Sequence, residues 1–185
     1  DRYKDYMIGV IQGDFGPSFR YPGRSVTEMI GTGLPVTFEL AFYAMLVALF
    51  VGIISGVIAA LKRNTYFDFI PMAFAMIGIC VPTFLMGPLL VLIFGITLEV
   101  LPVSGWGQLP GDKLLPSLTL GFAYAAYIAR LSRGGMLEVL NQDFIRTARS
   151  KGLPEHKVVI KHAMQGGLIP VVAFMGPAIA GLLSG

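Results

Sequence analysis

Residues 40–61 read LAFYAMLVALFVGIISGVIAAL, a run that contains no Asp, Glu, Lys or Arg. A helix needs about 20 mostly apolar residues to cross the hydrocarbon core of a bilayer, and this run has that length. Only 14% of the whole chain is charged and 55% is hydrophobic, whereas about a quarter of an average soluble domain is charged. The run therefore predicts a membrane-spanning helix in an integral membrane protein.

Three further stretches lack charged side chains, namely residues 69–98, 114–129 and 163–185. The first and the last have spanning length, and Lys113 and Arg130 at the ends of the shorter middle stretch can reach the membrane interfaces. We therefore predict an all-α, polytopic helical membrane protein with about four spans. These spans are placed near residues 34–61, 67–98, 114–131 and 166–185.

Basic residues concentrate at one end of these predicted spans. Nine of the 14 Lys and Arg lie between the first and second spans or between the third and fourth: Lys62, Arg63, Arg130, Arg133, Arg146, Arg149, Lys151, Lys157 and Lys161. The positive-inside rule places both connections in the cytoplasm, so residues 1–33 and 99–113 face outward. We expect residues 1–33 to form an extracytoplasmic loop. Because the chain starts outside without an apolar segment before it and stops without a polar cap, we expect it to be part of a longer membrane protein.

Residues inside the spans predict bending and close packing. Gly52 and Gly56 form a Gly-x-x-x-Gly pair, which lets two helix backbones approach closely. Pro82 removes a backbone hydrogen bond and predicts a kink at Val81–Thr83, either for packing alone or in a helix that lines a pathway. Hydroxyl groups in the third span either face a water-filled route or bond to neighbouring helices. The candidate pathway residues are Pro82, Thr83, Ser117, Thr119, Tyr124 and Tyr127.

Residues 144–170 read FIRTARSKGLPEHKVVIKHAMQGGLIP and form a basic segment between two apolar ones. Placing its five basic residues in hydrocarbon would cost well over about 10 kcal/mol, so the segment lies outside the membrane core. Asn141 or Asp143 can cap a first helix, Gly152 can end it, and Pro154 can begin a second. The pattern predicts a helix–turn–helix at the cytoplasmic surface.

Small residues in this segment predict a surface for a partner. Ala148 and Gly152 share a helix face with Ile145, at spacings of three and four, so a second protein could pack closely there. The alternative is a solvated basic loop attracted to anionic lipid headgroups.

The sequence Arg146-Thr147-Ala148, three residues and then Gly152 resembles the EAA loop of ABC importer permeases, whose general form is Glu-Ala-Ala-x3-Gly-x9-Ile-x-Leu-Pro. Arg146 stands in place of the Glu, and residues 162–165 (HAMQ) stand in place of Ile-x-Leu-Pro. The stretches SRGGMLEVLNQDFIRTARSKGL and QGDFGPSF are similar to the peptide-transporting branch of this family. The loop LPVSGWGQLPGDKLLP is more similar to that of oligopeptide permeases than to that of dipeptide permeases.

This resemblance implies a partial type I ABC importer permease domain over residues 34–185, with a cytoplasmic coupling segment over 132–165, in the bacterial cytoplasmic (inner) membrane. It implies further spans before residue 1 and after residue 185. The implied partners are a second permease subunit, two ABC ATPase subunits and an extracytoplasmic peptide-binding protein. The aromatic residues of 1–33 would contact that binding protein, or else lie on the membrane surface. The implied ATPase-coupling residues are Arg146, Thr147, Ala148, Arg149, Ser150, Gly152, Leu153, Pro154 and Glu155.

The sequence lacks the residues that ATP binding, catalysis or a metal site would require. The sequence contains no Gly-x-x-x-x-Gly-Lys-Ser/Thr motif, so we expect ATP and Mg to be used by partner subunits, with no cofactor bound by this chain and no enzyme activity in it. We predict no catalytic residue, no partner nucleic acid and no metal site, since His156 and His162 lack further ligands. An ion-coupled secondary transporter, or an ABC permease for dipeptides or nickel, remains the alternative. ATP dependence of transport separates the first of these from the importer.

Overall fold

The computed structural model describes residues 2–184, which form helices joined by turns and loops. Residues 1 and 185, at the outer limits of the predicted outer segment and last span, lie outside the described residues. The chain divides into two compact units, residues 1–40 and 41–185. Within residues 2–184 the only β pairing is an isolated bridge between Pro17 and Ser25. The prediction of an all-α fold is confirmed.

A helix lies in the first unit where the sequence predicts a loop. Helix α1 covers Arg2–Ile11, and Gly13 follows it with φ +83°. The stretch contains no proline, and Gly13 supplies the left-handed residue that commonly follows a helix end. The Thr27 hydroxyl then donates a hydrogen bond to the Gly13 carbonyl and accepts one from the Phe15 N–H, both 3.0 Å long. The prediction of a loop over 1–33 is therefore wrong in this part.

The next helix also begins earlier than the predicted first span. Helix α2 covers Val26–Leu61, with Pro35 inside it. The remaining elements follow in chain order. They are α3 (Tyr66–Cys80), α4 (Thr83–Leu90) with a π-helical continuation (Val91–Thr97), α5 (Leu114–Leu140), α6 (Asp143–Ser150), α7 (Glu155–Lys157), a π-helical segment (Val158–Ala163), α8 (Met164–Gly167) and α9 (Ile169–Ser184).

Two helices within residues 2–184, α2 and α5, are each long and apolar enough to cross a membrane. Two bent pairs pass the same test when each is counted as one span: Tyr66–Cys80 with Thr83–Thr97, and Glu155–Gly167 with Ile169–Ser184. Charged residues exclude the start of the second pair from hydrocarbon, because Lys157 and Lys161 would each cost about 2.5–3.5 kcal/mol at the centre of a membrane-spanning helix. If each bent pair is counted as one span, α9 supplies the apolar part of the fourth span.

The predicted kink at Val81–Thr83 is present, and it is a complete break. Val81 and Pro82 are both extended, with ψ values of 119° and 143°, and the arms on either side differ in direction by 114°. Proline disfavours the helical conformation in the residue before it and lacks the N–H that would continue the helix. The second predicted span therefore consists of two helices rather than one bent helix.

Close contacts give the relative directions of the helices in the second unit. A Cβ on Gly52 would lie 2.8 Å from the Ala125 carbonyl oxygen, and one on Gly56 would lie 2.6 Å from the Cβ of Ser132. Helices α2 and α5 therefore run parallel, and the Gly-x-x-x-Gly pair forms their contact. Helix α3 runs antiparallel to α5, since it places Asp68 beside Arg133 and Gly78 beside Phe122.

Helix α9 also runs antiparallel to α5. Gly167, just before it, lies against Gly135, and Gly181 near its end lies against the hydroxyl of Tyr124. The first and third predicted spans thus share one direction, and the second and fourth begin in the opposite one. The second span does not keep that direction, because its second half turns by 114° at Val81–Pro82. The basic residues Lys62 and Arg63 and the segment 132–165 consequently lie at the same end of the helices, which is called the basic end below.

Candidate functional site

The predicted helix–turn–helix is present at the basic end. Helix α6 ends at Ser150, the Lys151 N–H bonds to the Thr147 carbonyl at 3.1 Å, and the Gly152 N–H bonds to the Arg149 carbonyl at 2.9 Å. Gly152 has φ +75°, a left-handed conformation that favours glycine. Pro154 precedes α7, which begins one residue later than predicted, at Glu155.

The predicted caps at the start of α6 are wrong. The N-cap position is Gln142, and the structure of residues 2–184 shows no side-chain cap on it. The Asn141 amide instead donates to the Leu137 carbonyl at 2.7 Å, and the Asp143 carboxylate accepts from Arg146 at 3.3 Å. Only residues 141 and 142 separate α5 from α6. Asn141 therefore ends α5, and its side chain bonds back to that helix instead of capping α6.

The small face of α6 is covered by the chain itself. Ile145 is fully buried and Ala148 is 6% exposed. Both belong to a cluster with Met136 and Val139 of α5 and with Val158, the first residue of the π-helical segment after α7. Ala60, at the end of α2, belongs to the same cluster. The expectation that Ala148 presents a docking surface to a partner is therefore corrected. Its small side chain lets α6 lie close to the ends of α2 and α5.

The remaining predicted coupling residues are all exposed, along α6 and the turn that leads to α7, and are called the coupling rim below. It consists of Arg146, Thr147, Arg149, Ser150, Gly152, Leu153, Pro154 and Glu155.

An ion pair closes the turn of the coupling rim. Arg149 donates two hydrogen bonds to Glu155, from Nε to Oε2 at 3.1 Å and from Nη2 to Oε1 at 2.6 Å. These bonds from Arg149 hold the pKa of the Glu155 carboxyl below its usual value, although burial acts in the opposite direction. Both side chains are substantially exposed, so the pair contributes at most about 1 kcal/mol to the free energy of unfolding. Its chief effect is to orient α6 and α7 relative to each other.

A second ion pair, between α3 and α5, was not anticipated from the sequence. Arg133 donates from Nε to Asp68 Oδ1 at 2.6 Å and from Nη2 to Oδ2 at 2.8 Å, and Asp68 also accepts from the Asn64 N–H at 3.1 Å. The Asp68 side chain is 2% exposed and that of Arg133 is 29% exposed. The pair borders a cavity of about 440 Å³ that Arg130 also lines. A charge flanked by apolar residues, as Asp68 is, was the available signal, but sequence does not name its partner.

The predicted pathway residues fall in three places. Pro82 and Thr83 lie at the break between α3 and α4. Tyr124 and Tyr127 lie beside Phe174 of α9, with ring centres 6.5 and 5.8 Å from it. The two remaining residues, Ser117 and Thr119, lie in the first half of α5.

The hydroxyls of Ser117 and Thr119 bond within their own helix. Ser117 donates to the Lys113 carbonyl at 2.6 Å, and Thr119 donates to the Leu115 carbonyl at 2.7 Å. These bonds differ from the expected bonds to neighbouring helices and leave open whether the two residues face a water-filled route. The assignment of these residues to a pathway stays a prediction.

Ser117 also lines a cavity of about 720 Å³ at the end of the helices opposite the basic end. The loop around it is held by Asp112, which accepts hydrogen bonds from the Gln108 and Leu109 N–H groups at 2.8 and 3.1 Å. Burial raises the pKa of the Asp112 carboxyl, but these backbone bonds outweigh it and the pKa lies below its usual value.

Apolar helices of spanning length, one of them broken, together with a basic helix–turn–helix at one end, define a polytopic α-helical membrane protein. Residues 50–185 match the sequence profile of the family described as "Binding-protein-dependent transport system inner membrane component". The chain belongs to this family.

Individual relatives match over the whole chain. The oligopeptide transport system permease proteins OppB of Salmonella typhimurium and of Escherichia coli K12 are each 45% identical over 185 residues, which is 100% of this chain and 60% of the relative. The dipeptide transport system permease protein DppB of Bacillus subtilis is 41% identical over 184 residues, covering 100% of this chain and 59% of the relative. The chain thus spans about three-fifths of the length of these relatives.

Proposed function

We propose that this chain is part of the membrane-spanning subunit of an ATP-driven peptide importer, and that it docks an ATPase subunit through the coupling rim. The basic end then faces the cytoplasm, as the positive-inside rule predicts. Relatives named as oligopeptide and dipeptide permeases support peptides as the transported class. The proposal assigns ATP binding, with Mg, to separate ATPase subunits. A second permease subunit and an extracytoplasmic peptide-binding protein complete the transporter.

One observation carries the docking proposal: the coupling rim is exposed while its base is buried against the ends of α2 and α5. Ile145 and Ala148 fix α6 to Met136, Val139 and Ala60. A force applied to the exposed edge by a partner is therefore transmitted to two long helices rather than absorbed in a loose loop. Closure of the ATPases would shift these helices and rock the spans between inward-open and outward-open states.

The coupling rim has the chemistry of a protein contact. Exposed Arg146 and Arg149 keep further guanidinium donors beyond their bonds to Asp143 and Glu155, and such donors suit carboxylates. Leu153 and Pro154 add exposed apolar surface to the same set. The bidentate bond between Arg149 and Glu155 holds the turn in one shape before a partner arrives, which lowers the entropy lost on docking.

ATP-dependent uptake in a reconstituted transporter tests the proposal. The full-length subunit, its permease partner, two ATPases and the binding protein are placed in liposomes, and uptake of a labelled oligopeptide is measured. We expect uptake with ATP on the side of the coupling rim, none with ADP, and no effect of collapsing ion gradients. Uptake of a labelled dipeptide and of labelled nickel is measured in parallel and defines the transported class.

Uptake that follows an ion gradient in the absence of ATP would overturn the proposal in favour of secondary transport. Uptake of nickel but of no peptide would keep the ATP-driven mechanism and overturn the proposed substrate class.

A further inference from the structure

The end of α5 nearest the coupling rim is held from two directions. Arg133 points to α3, where it binds Asp68. Gly135, two residues later, lies against Gly167 of α8, so closely that a Cβ on Gly135 would contact the Gly167 carbonyl oxygen. Helix α5 therefore contacts both α3, which is the first half of the broken span, and α8, which follows the helix–turn–helix.

Helix α3 is fixed to α5 at both of its ends. At the basic end the Asp68–Arg133 ion pair joins the two helices, and at the other end Gly78 lies against Phe122 and Ala126. The small side chain of Ala75 packs between these points, in a cluster with Ala126. The close contacts of Gly78 and Ala75 hold α3 near α5, and two parallel hydrogen bonds to one carboxylate add a contact that allows a single geometry. The ion pair thus adds a directional constraint on the register of α3 along α5.

The chain beyond α3 also packs on α5, with Gly87 of α4 beside Thr119, but α4 contains no charged residue and so has no ion pair to hold it there. Val81 and Pro82 interrupt the helix, and the next arm leaves at 114° to α3. A displacement of α3 can be absorbed by rotation at these two residues, as in other hinge movements. The break is consequently the first place where motion shared by α5 and α3 can become motion between two halves of a span.

We propose, building on the importer function above, that Asp68 and Arg133 are positioning residues that make α3 move with α5 when the coupling rim is displaced. The hinge at Val81–Pro82 then converts this joint movement into a change in the angle between α3 and α4. An apolar pair at the same positions would hold the fold without the directional constraint on the register of α3. Buried polar groups fix register in some proteins, at a cost in stability.

The test is the number of peptides imported per ATP hydrolysed in the complete transporter. Arg133→Gln removes the bidentate partner, whereas Arg130→Gln removes an exposed charge that lines the same cavity and lies outside the pair. We expect Arg133→Gln to lower the ratio on the order of tenfold while ATP hydrolysis continues, and Arg130→Gln to leave it unchanged. Arg133→Lys, which keeps the charge but loses the planar fork, should fall between them.

A charge exchange, Asp68→Arg with Arg133→Asp, should regain part of the ratio lost in Arg133→Gln. If hydrolysis and import fall together in Arg133→Gln, so that the ratio stays that of Arg130→Gln, the inference is overturned and the pair serves stability alone. If Arg133→Gln does not assemble, Arg133→Lys decides by the same ratio. Failure of the unsubstituted transporter to import with ATP would instead overturn the proposed function, so the two failures are distinguishable.

Discussion

Arg133 of α5 and Asp68 of α3, 65 positions apart in the sequence, are joined by two hydrogen bonds of 2.6 and 2.8 Å. The carboxylate is almost completely buried, while the guanidinium remains 29% exposed. This asymmetry decides which partner is the more costly to lose. An unpaired Arg133 can still reach water, whereas an unpaired Asp68 cannot.

Arg133→Met should therefore destabilise the protein more than Asp68→Leu. We expect Arg133→Met to lower the free energy of unfolding by about 3–5 kcal/mol, because it leaves a buried charge without its partner. The double variant should lose less than Arg133→Met alone, since it buries no charge. Thermal unfolding of the purified protein in detergent measures all three, and a double variant less stable than Arg133→Met would contradict the prediction.

The α2–α5 contact gives a second prediction. Gly56→Ala should destabilise the protein by about 1–3 kcal/mol through overpacking, because the added Cβ would lie 2.6 Å from the Cβ of Ser132 and would contact the Ala129 carbonyl oxygen. The matched control is Gly134→Ala in α5, where the new Cβ has no heavy atom within 4 Å among the described residues, apart from its chain neighbours and the nearby backbone of its own helix. The control should be neutral or stabilising by up to about 1 kcal/mol. Equal thermal midpoints for the two variants would show that α2 and α5 do not pack through Gly56.

Gly152 gives a third prediction, based on conformation rather than on space. Its φ of +75° disfavours other residues, although no described heavy atom beyond Gly152 and its two chain neighbours lies within 4 Å of an added Cβ. Gly152→Val should cost about 1–2 kcal/mol and should increase hydrogen exchange in the last turn of α6. Gly152→Asn should be better tolerated because asparagine adopts left-handed conformations more readily. The same exchange increase in both variants would contradict this explanation.

The Arg149–Glu155 pair predicts a pH dependence. Because the pKa of Glu155 lies below its ordinary value of 4.5, the stabilisation is fully present above that value and is lost as the pH falls through the lowered pKa. Glu155→Gln should therefore reduce stability by less than about 1 kcal/mol at pH 7, and the difference should vanish in strong acid. Asp143→Asn, which alters a longer exposed pair, is the control and should change stability less. A difference between Glu155→Gln and the unsubstituted protein that persists unchanged at low pH would contradict this origin.

Most of the second unit could be predicted from the sequence because its determinants are local. Runs without charge locate the apolar helices, Pro82 locates the break, and Gly152 locates the end of α6. Each depends on the solvation or the conformation of a few neighbouring residues. The 114° angle at the break could not be predicted, since proline interrupts a helix without fixing the direction of the next one.

Features that depend on distant contacts were missed or misread. The face of α6 that holds Ala148 was assigned to a partner because sequence shows that a face is small, but not what covers it. Asp68 has no local pattern that points to Arg133, because the pairing follows from the antiparallel packing of α3 on α5. The predicted loop before α2 failed for a different reason: α1 carries polar residues on an exposed helix and so lacks the apolar signal of a span.

The most direct test of the central claim is a cross-link between the coupling rim and the ATPase. In the full-length subunit, Cys80 is replaced by serine and a single cysteine is introduced as Ser150→Cys, with Ser104→Cys at the opposite end of the helices as the control. Both positions are exposed. In membranes that contain the candidate ATPase, Ser150→Cys should give an ATP-sensitive cross-link to it, and Ser104→Cys should give none. A Ser150→Cys protein that reacts only with an impermeant reagent added from outside, and never with the ATPase, would contradict both the orientation and the coupling role.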